Sequence, residues 1–295
     1  MAVGETLSTT LSGALPTVIQ QARAIREYEG TFNITTTKHT VGAGEGGTFN
    51  EFQIAQIDAQ DITETTVMNN PQQFAGTLLS QSPTMSQIMV KVTDRTYHRI
   101  AKVVSSKLGG LAGMAMKRKR DEDYLSLFAG FATTASPGSA QPLSFGHISA
   151  AVALAENNAT EGATTQIYSV LHGYGIKDIQ DEILAGVGTY TIPTGMTEAT
   201  FRKGFVGSVA GSNVMRDNNI TINATPDARG ATHAKEGVYQ IQGMTYKVKE
   251  RYDPAYGGGA QEVFITDEYS FLENTSSGTQ VFCYAHLHDA TAPAS

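Results

Sequence analysis

The chain has 295 residues, of which 40% are hydrophobic, with a formal net charge of −7 and one cysteine, Cys283. This length provides enough apolar residues for one large domain or for two to three smaller ones. A single cysteine excludes an intrachain disulfide, and we expect no secretory signal because no basic segment followed by an apolar run opens the sequence. No stretch is apolar enough to cross a bilayer. The acidic charge argues against a protein that grips nucleic acid over its whole surface.

The first 30 residues predict an N-terminal arm. They begin with a polar segment rich in Ser and Thr, after which Val18, Ala22 and Ile25 recur at helical spacing behind Pro16. An arm of this kind frays unless another surface binds it.

Residues 31–81 predict a two-stranded hairpin. Alternation of Phe32 and Ile34 indicates its first strand, and the glycine-rich residues 42–47 indicate a flexible tip. Thr, Asn and Gln dominate the rest, and a hairpin with so few large apolar residues cannot bury a core of its own. It is therefore either disordered in the free chain or bound to a neighbouring subunit, and we favour the second alternative. The residues expected to make this intersubunit contact are Phe49, Phe52 and Ile54.

Residues 83–131 predict a strand followed by the longest helix of the chain. Alternate apolar residues at 88, 90 and 92 indicate a half-buried strand. A helix is expected from Asp94, whose carboxylate can accept bonds from its first free amides, to Phe131, a length of roughly 55 Å. Its predicted apolar stripe contains Tyr97, Ile100, Val104, Leu108, Leu111 and Ala115.

Three glycines, Gly109, Gly110 and Gly113, interrupt this helix. Each costs about 1 kcal/mol relative to alanine in a helix interior. Close packing of a sheet or a neighbouring helix would offset that cost, so we expect such a contact at Gly109 and Gly113.

Residues 142–237 have the pattern of an α/β unit. Ser144 can cap a helix that extends to Glu156, residues 166–171 predict a buried strand, and a short helix follows. Three glycines then predict tight turns or closely approaching strands. The apolar side of the first helix comprises Ile148, Ala151, Val152 and Ala155, the second helix is marked by Ile176, Ile179 and Ile183, and the glycines are Gly204, Gly207 and Gly211.

The C-terminal part predicts further strands. Residues 238–250 alternate in two registers that change at Gly243, the glycine-rich residues 256–259 connect them to a strand at 263–265, and residues 280–288 predict a final strand. The resulting element pattern indicates a mixed α+β protein.

Few residues suggest a chemical site. The glycines at 42–47 match a dinucleotide-binding pattern, but the residues after them do not predict the helix that such a site requires. Cys283, His286 and His288 could be considered as metal ligands, although a structural zinc site needs four, and ordinary strand residues are favoured. No nucleophile-elbow, phosphate-loop or zinc-protease motif occurs. We therefore expect neither an enzyme nor a cofactor.

The basic residues 117–120 admit two interpretations. They could contact nucleic acid, but the acidic residues 121–123 follow at once, so an internally paired, solvated helix segment is favoured.

Three segments together resemble the major capsid proteins of tailed double-stranded DNA phages. They are the strand and long helix of residues 83–128, the IYSVLHGYGIKDIQDEI segment at 167–183 and the glycine-spaced FRKGFVGSVAGSNVMRDNNI segment at 201–220. The resemblance extends over about residues 31–288 and implies an α+β phage capsid fold. In that fold, residues 1–30 are the N-arm, 31–92 an extended E-loop hairpin with its return strand, 93–141 the P-domain with its spine helix on a β-sheet, 142–237 the α/β A-domain, and 238–295 further P-domain strands with a C-terminal strand returning towards the A-domain.

The resemblance also implies a function. A protein of this family forms hexamers and pentamers of an icosahedral head that encloses double-stranded DNA, contacts that DNA non-specifically, and is located in the virion after assembly in the host cytoplasm. We expect a portal and a separate scaffolding protein as partners, and no membrane. The alternative is the shell of an encapsulin compartment, which has the same architecture and encloses enzymes; neighbouring genes would distinguish the two.

Two further expectations come from the resemblance. The loop at residues 186–199 is expected to face the symmetry axis of each capsomer. Some capsid proteins also join subunits through a Lys–Asn isopeptide bond, and Lys38 is the only lysine of the predicted hairpin that could donate to one. An ordinary solvated lysine is the favoured interpretation.

Overall fold

The computed structural model describes residues 30–42, 47–67, 71, 73, 75–99, 102–186, 207–244, 246–256, 258–276 and 278–292. Its helices are α1 Phe32–Thr35, α2 Asp94–Arg99, α3 Lys102–Ser126, α4 Phe145–Glu156 and α5 Gly173–Gly186, with short 3-10 turns at Leu127–Ala129 and Lys235–Gly237. Its strands are β1 Thr37–Thr40, β2 Phe49–Ile54, β3 Gly76–Gln81, β4 Thr84–Thr93, β5 Ile167–Leu171, β6 Ser208–Val209, β7 Ser212–Arg216, β8 Asp227–Ala234, β9 Val238–Gln242, β10 Lys247–Asp253, β11 Ala260–Glu273 and β12 Cys283–Asp289. None of the helices in these ranges is long and apolar enough to span a membrane.

The strands form two five-stranded sheets and one separate hairpin. In the first sheet the long strand β11 pairs antiparallel with β4 along one edge, and with β10 and then β9 along the other, while β1 lies parallel to β9. The second sheet has the order β12-β8-β5-β7-β6, with β5 and β7 parallel. Strands β2 and β3 form the hairpin. The predicted α+β fold class is confirmed.

Helix α3 packs across the first sheet. Ala112 and Met116 are buried against Ile265 of β11, and Ile88 and Val90 of β4 lie beside them. The alternation predicted for this strand is therefore confirmed. The C-terminal end of α3 and the 3-10 turn after it join a larger core that extends into the second sheet and includes Tyr124, Phe128, Phe271, Ile148 and Val170.

The helical stretch predicted from Asp94 to Phe131 begins at Asp94 as expected, but its predicted end is wrong. Two helical segments, α2 and α3, occupy this stretch, residues 100 and 101 lie outside the described ranges, and α3 ends at Ser126. The 25 residues of α3 extend over about 38 Å.

The buried face of α3 lies one position away from the predicted stripe. Leu111 and Ala115 are only partly buried, while Ala112 and Met116 are inside. Apolar residues surround this part of the helix, so their spacing cannot select the face that the sheet covers. The other stripe residues have side chains outside the description: Tyr97, Ile100, Val104 and Leu108.

The α/β unit agrees closely with the prediction. Helix α4 begins after Ser144, whose amide donates to Nδ1 of His147 at 3.2 Å. Strand β5 is buried along its whole length, and α5 follows it with Ile176 and Ile179 inside. The side chain of Ile183 lies outside the description. The buried residues of α4 are those predicted: Ile148, Ala151, Val152 and Ala155.

The start of the predicted hairpin is wrong. Residues 32–35 form the short helix α1, in which the hydroxyl groups of Thr35 and Thr36 donate back to the carbonyl oxygens of Thr31 and Phe32. Phe32 is buried with its ring centroid 6.0 Å from that of Phe271. This segment belongs to the main core and not to the hairpin.

The position of the hairpin tip is also wrong. Gly42 and Gly47 lie between β1, which pairs with the first sheet, and β2, the first strand of the hairpin. The register of the hairpin runs from Phe49 opposite Gln81 to Ile54 opposite Gly76, so its far end is formed by the residues between β2 and β3. The glycine-rich stretch therefore connects the hairpin to the sheet.

Candidate interaction surfaces

One face of the hairpin packs on its own chain. The ring centroid of Phe49 lies 4.9 Å from that of His39 and 5.7 Å from that of Tyr239. The Tyr239 hydroxyl donates to Oε1 of Glu51 at 3.5 Å, and Nε2 of Gln53 donates to Oδ1 of an asparagine at the end of β11, Asn274, at 2.8 Å. Burial raises the pKa of Tyr239, so this phenol stays protonated and can act as the donor. Phe49, one of the residues expected at an intersubunit contact, therefore has aromatic partners in its own chain.

The opposite face of the hairpin is apolar and exposed. Phe52, Ile54 and Leu78 are 63%, 61% and 60% exposed, and Phe52 and Leu78 are cross-strand partners. A Cβ added at Gly76 would lie 2.5 Å from Cζ of Phe52, so the absence of a side chain there lets the phenylalanine ring lie against the strand. We call Phe52, Ile54 and Leu78 the outer hairpin face. An exposed apolar patch of this kind is typical of an interaction site.

The residues beyond the outer hairpin face are exposed as well. Every residue from 56 to 67 is exposed, and we call this range the distal segment. It contains three acidic residues and no Lys or Arg. Gln56, at its start, donates to the carbonyl oxygen of Thr160 in the same chain. The acidic residues of the distal segment are Asp58, Asp61 and Glu64, and its large exposed apolar residues are Ile57, Ile62 and Val67.

The first sheet offers a second exposed surface, on the face that α3 does not cover. Lys249 of β10, Phe264 of β11 and Met89 of β4 form one cross-strand row, with Lys247 and Arg251 in the rows on either side. Strand β10 is exposed over nearly its whole length. We use the name basic sheet face for the surface formed by Met85, Met89, Lys247, Lys249 and Arg251. Arg251 is paired with Glu262 of β11 on the same face, at 2.9 Å.

The spacing of residues along β2 was enough to assign them to the two faces of the hairpin. Residues 49, 51 and 53 share one face of β2, and residues 52 and 54 share the other, because successive side chains of a strand alternate. Phe49 and Phe52 differ by an odd number of positions, so they cannot lie on the same face. The basic sheet face lacked a comparable signal, because it depends on the register of three strands that are distant in sequence.

The glycines of α3 have room around them. A Cβ added at Gly113 would meet only the hydroxyl of Tyr246, at 3.8 Å, and one added at Gly110 would meet no atom within 4 Å. The close contact expected at Gly113 is therefore wrong within the described chain. The surroundings of Gly109 lie outside the description.

The glycines at positions 204, 207 and 211 differ in their roles. Gly211 has φ +90° and, with Ala210 at φ 49°, forms the two-residue turn between β6 and β7. The carbonyl oxygen of Gly207 accepts from the amide of Val214 at 2.9 Å, which extends that small hairpin. A tight turn at Gly211 is confirmed, whereas Gly204 lies outside the described residues, as does most of the loop at 186–199.

The considered metal ligands are buried residues of β12. Cys283 donates its thiol to the carbonyl oxygen of Gly237 at 3.2 Å, and burial raises the pKa of that thiol. Nε2 of His286 lies 2.8 Å from the hydroxyl of Thr232, and Nδ1 of His288 lies 3.0 Å from the carbonyl oxygen of His286. Across the described ranges, no group of three His, Cys, Asp or Glu residues is arranged to hold a metal ion.

The basic segment of α3 is paired with acidic residues. Arg118 lies 3.4 Å from Glu122, and Lys119 forms an ion pair with Asp123. Arg120 reaches the first sheet, where it forms an ion pair with Asp267. The internally paired, solvated interpretation is therefore confirmed for Arg118 and Lys119, whereas Arg120 is paired with the sheet.

The single lysine of the predicted hairpin lies in β1. Nζ of Lys38 donates to Oδ1 of Asn33 at 3.0 Å on the exposed surface. An ordinary solvated lysine bonded to a nearby side chain agrees with this geometry.

Comparison with known proteins identifies solved structures that share this architecture. No family model and no curated protein matches the sequence. Among solved structures, the capsid of Ralstonia phage GP4 is 10% identical, with 95% of this chain and 96% of that chain covered at a TM-score of 0.70. The capsid of cyanophage P-SCSP1u is 11% identical over 94% of this chain and 93% of that chain, with a TM-score of 0.69. The mature capsid of bacteriophage PhiM1 is 10% identical over 95% of this chain and 93% of that chain, with a TM-score of 0.68. The chain therefore has the fold of phage capsid proteins.

Proposed function

We propose that this chain is the major capsid protein of a tailed double-stranded DNA phage. In this proposal it assembles into hexamers and pentamers, and these close into an icosahedral head around the genome. The observation that carries the proposal is the outer hairpin face: Phe52, Ile54 and Leu78 are exposed together on a hairpin whose other face is held by its own chain. The likeness in fold to phage capsids supports the same role.

The two faces of the hairpin have different roles in the proposed assembly. The inner face, through Phe49 and Gln53, fixes the hairpin to the subunit that it belongs to. The outer face then presents apolar residues to a second copy in a defined direction. Burial of one phenylalanine contributes about 1.5–3 kcal/mol, and a closed shell repeats the contact in every subunit.

The distal segment and the basic sheet face are complementary in charge. The first carries three acidic residues with apolar neighbours, and the second carries Lys247, Lys249 and Arg251 beside Met85 and Met89. Opposite charges that meet across an interface fix its register more than they add affinity. We therefore assign the basic sheet face of a second copy as the surface that receives the distal segment.

The remaining parts of the proposal concern partners and location. The subunit works by assembly, without turnover, and its mature form is part of the virion after assembly in the host cytoplasm. Packaged DNA is contacted without sequence preference, and a portal and a separate scaffolding protein complete the head. The internal pairing of Arg118, Lys119 and Arg120 supports weak DNA contact, because these cations are already neutralised.

The proposal is tested by assembly of the full-length chain with and without substitutions on the outer hairpin face. The wild-type protein, expressed with its scaffolding partner, is expected to form closed particles in sedimentation and negative-stain microscopy. Phe52→Ser combined with Leu78→Ser should melt like the wild type but sediment as free subunits. Leu154→Ser, a matched control at an exposed leucine of α4, should still form particles.

Two results would contradict the proposal. Normal particles from the double variant would remove the outer hairpin face from assembly. Wild-type particles that contain an enzyme cargo in place of nucleic acid would show that the chain forms a compartment shell and not a phage head.

A further inference from the structure

Two buried aspartates meet where three parts of the chain come together. Asp121 lies on α3, Asp217 follows β7 of the second sheet, and both are fully buried. The backbone amide of Thr31 donates to Oδ1 of Asp121 at 3.0 Å and to Oδ2 of Asp217 at 3.1 Å. The Thr31 hydroxyl donates to the same Oδ2 at 2.9 Å. One residue thus binds both carboxyl groups at once.

The other carboxyl oxygens are held by Asn219. Its amide nitrogen donates to Oδ1 of Asp217 at 2.9 Å, and its side-chain Nδ2 donates to Oδ2 of Asp121 at 2.8 Å. Because a single N–H group of Thr31 reaches Oδ1 of one aspartate and Oδ2 of the other, these two oxygens lie side by side. Two carboxylates this close in a buried site cannot both ionise without a large electrostatic cost.

The chain before Thr31 passes directly over this pair. Gly30 has φ +79°, and a Cβ added there would lie 2.1 Å from Cγ of Asp121. Only glycine permits this approach in this backbone conformation. The geometry therefore brings the backbone of Gly30 and Thr31 against both α3 and the second sheet.

The charged groups around the pair have other partners. On α3, Arg120 pairs with Asp267, Glu122 pairs with Arg118, and the Tyr124 hydroxyl lies 2.6 Å from Nε2 of His233 on β8. On β7, Nε of Arg216 donates to Asn218 at 3.1 Å, and residues 30–36 contain no ionisable side chain. The hydrogen bonds from Thr31 and Asn219 come from neutral groups. Burial, together with the neighbouring Asp121, raises the pKa of Asp217 to about 7.

We propose that Asp217 keeps a proton beside Asp121 and that the two residues form a latch that holds Thr31, and with it the entry of the chain into the core, between α3 and the second sheet. Protonated, the pair accepts the bonds of Thr31 and Asn219 without net repulsion between the two elements. Deprotonation places two carboxylates side by side and drives α3 and the loop after β7 apart, so that Thr31 can no longer bridge them.

The sign of the pH dependence follows from linkage. The pKa of Asp217 is higher in the folded chain than in the unfolded one, so the folded chain binds one more proton between about pH 4 and about pH 7. The stability that the latch contributes falls as the pH rises through this window and is absent above it.

The proton on Asp217 is tested by infrared spectroscopy of the full-length subunit as a function of pH, with Glu273→Gln in every sample because burial also raises the pKa of Glu273 to about 7. We expect a protonated carboxyl band that persists well above the pKa of an ordinary aspartate and disappears with a midpoint near pH 7. The midpoint should move to lower pH in Asp121→Asn, because the charged neighbour of Asp217 is removed while burial still raises the pKa of Asp217. Glu122→Gln, an exposed carboxyl on the same helix, should leave the band unchanged.

A second pair of variants tests the latch if the aspartate variant fails to fold. Thr31→Val removes the hydroxyl that stabilises ionised Asp217, so the midpoint should move to higher pH. Thr36→Val, at a buried threonine of the same segment that bonds to a backbone oxygen, should not move it. Hydrogen exchange of residues 31–36, corrected for its intrinsic pH dependence, should accelerate above the midpoint in the wild type.

Several outcomes would overturn the proposal. They are the absence of a protonated carboxyl near pH 6, a midpoint that neither Asp121→Asn nor Thr31→Val changes, and exchange of residues 31–36 that is independent of the band. Because the measurements use the unassembled subunit, they do not depend on whether the chain forms shells.

Discussion

Glu273, at the end of β11, is a partly buried carboxyl group with an incomplete set of partners. Its Oε2 accepts from Nε2 of Gln280 at 3.0 Å, while its Oε1 is buried without a hydrogen-bond partner in the described chain. Burial raises the pKa of Glu273 to about 7. The ionised form is therefore disfavoured in the folded state, and the stability lost through this carboxyl grows as the pH rises from 4.5 to about 7 and is complete above that value.

Glu273→Gln should stabilise the protein at high pH and not at low pH. The amide cannot ionise and can still accept from Gln280, so the gain in free energy of unfolding should be about 1–2 kcal/mol above about pH 8, allowing for the partial exposure of the site. Near pH 4 the gain should vanish, since both folded and unfolded chains then carry a protonated glutamate. Urea unfolding at the two pH values measures this difference.

The exposed carboxyl of Glu250 on β10 provides the control. Glu250→Gln should change stability by less than about 0.5 kcal/mol at either pH. A gain from Glu273→Gln that is equal at both pH values would show that the charge of Glu273 is not the cause.

At the scale of single elements, two glycines make opposite predictions. Gly113 lies within α3 with the nearest atom to an added Cβ at 3.8 Å, whereas Gly211 has φ +90° in a tight turn. Gly113→Ala should therefore raise the free energy of unfolding by up to about 1 kcal/mol through helix propensity. Gly211→Ala should lower it by about 1–2 kcal/mol, because alanine is strained at that φ. Thermal melting of both variants checks the pair, and a loss of stability in Gly113→Ala would restore the close contact expected from the sequence.

The hairpin strand β2 predicts different effects from its two phenylalanines. Phe49 packs on Tyr239 and His39, so Phe49→Ala should lower the free energy of unfolding by about 2 kcal/mol. Phe52→Ala should change it by less than about 0.5 kcal/mol, because Phe52 is 63% exposed in the free subunit. Chemical denaturation compares the two, and equal losses would mean that the hairpin does not have a held face and a free face.

The elements that the sequence predicted well are those in which local signals and burial agree. Helix α4 has a capping residue and an apolar side that is in fact its buried side, and β5 is a run of apolar residues, apart from Ser169, that the core covers. The strand predicted at residues 32–35 was wrong because two alternating apolar residues in a Thr-rich segment cannot distinguish a strand from a helical turn. In the folded chain, the burial of Phe32 and the hydrogen bond from the Thr35 hydroxyl to the carbonyl oxygen of Thr31 favour the helix.

At the scale of the whole molecule, the pairing of strands that are distant in sequence could not be predicted from the sequence. The glycine-rich stretch at 42–47 was expected at the tip of the hairpin, because a flexible turn between apolar runs is a local signal. Its true position depends on β1 pairing with β9, just over 200 positions away in the sequence. The basic sheet face and the Asp121–Asp217 pair depend on distant strands in the same way, whereas the overall fold was accessible through the resemblance of three segments.

The assembly proposed here makes its sharpest prediction through a charge exchange between two surfaces. Lys247→Glu with Lys249→Glu reverses part of the basic sheet face, and Asp58→Lys with Asp61→Lys reverses part of the distal segment. Each reversal alone should slow assembly strongly, because like charges then meet in every copy of the contact. The protein that carries all four substitutions should recover particles, since opposite charges meet again.

The exchange is measured by light scattering during assembly, with melting temperatures to confirm that each subunit folds. All the substituted side chains are exposed, so each variant should melt within a few degrees of the wild type. Glu156→Lys, at an exposed residue of α4 outside both surfaces, controls for net charge and should assemble normally. Added salt should reduce the defect of the single reversals, because it screens exposed charges. If the fourfold variant assembles no better than either reversal, the distal segment and the basic sheet face do not meet, and the acceptor surface on the second copy lies elsewhere.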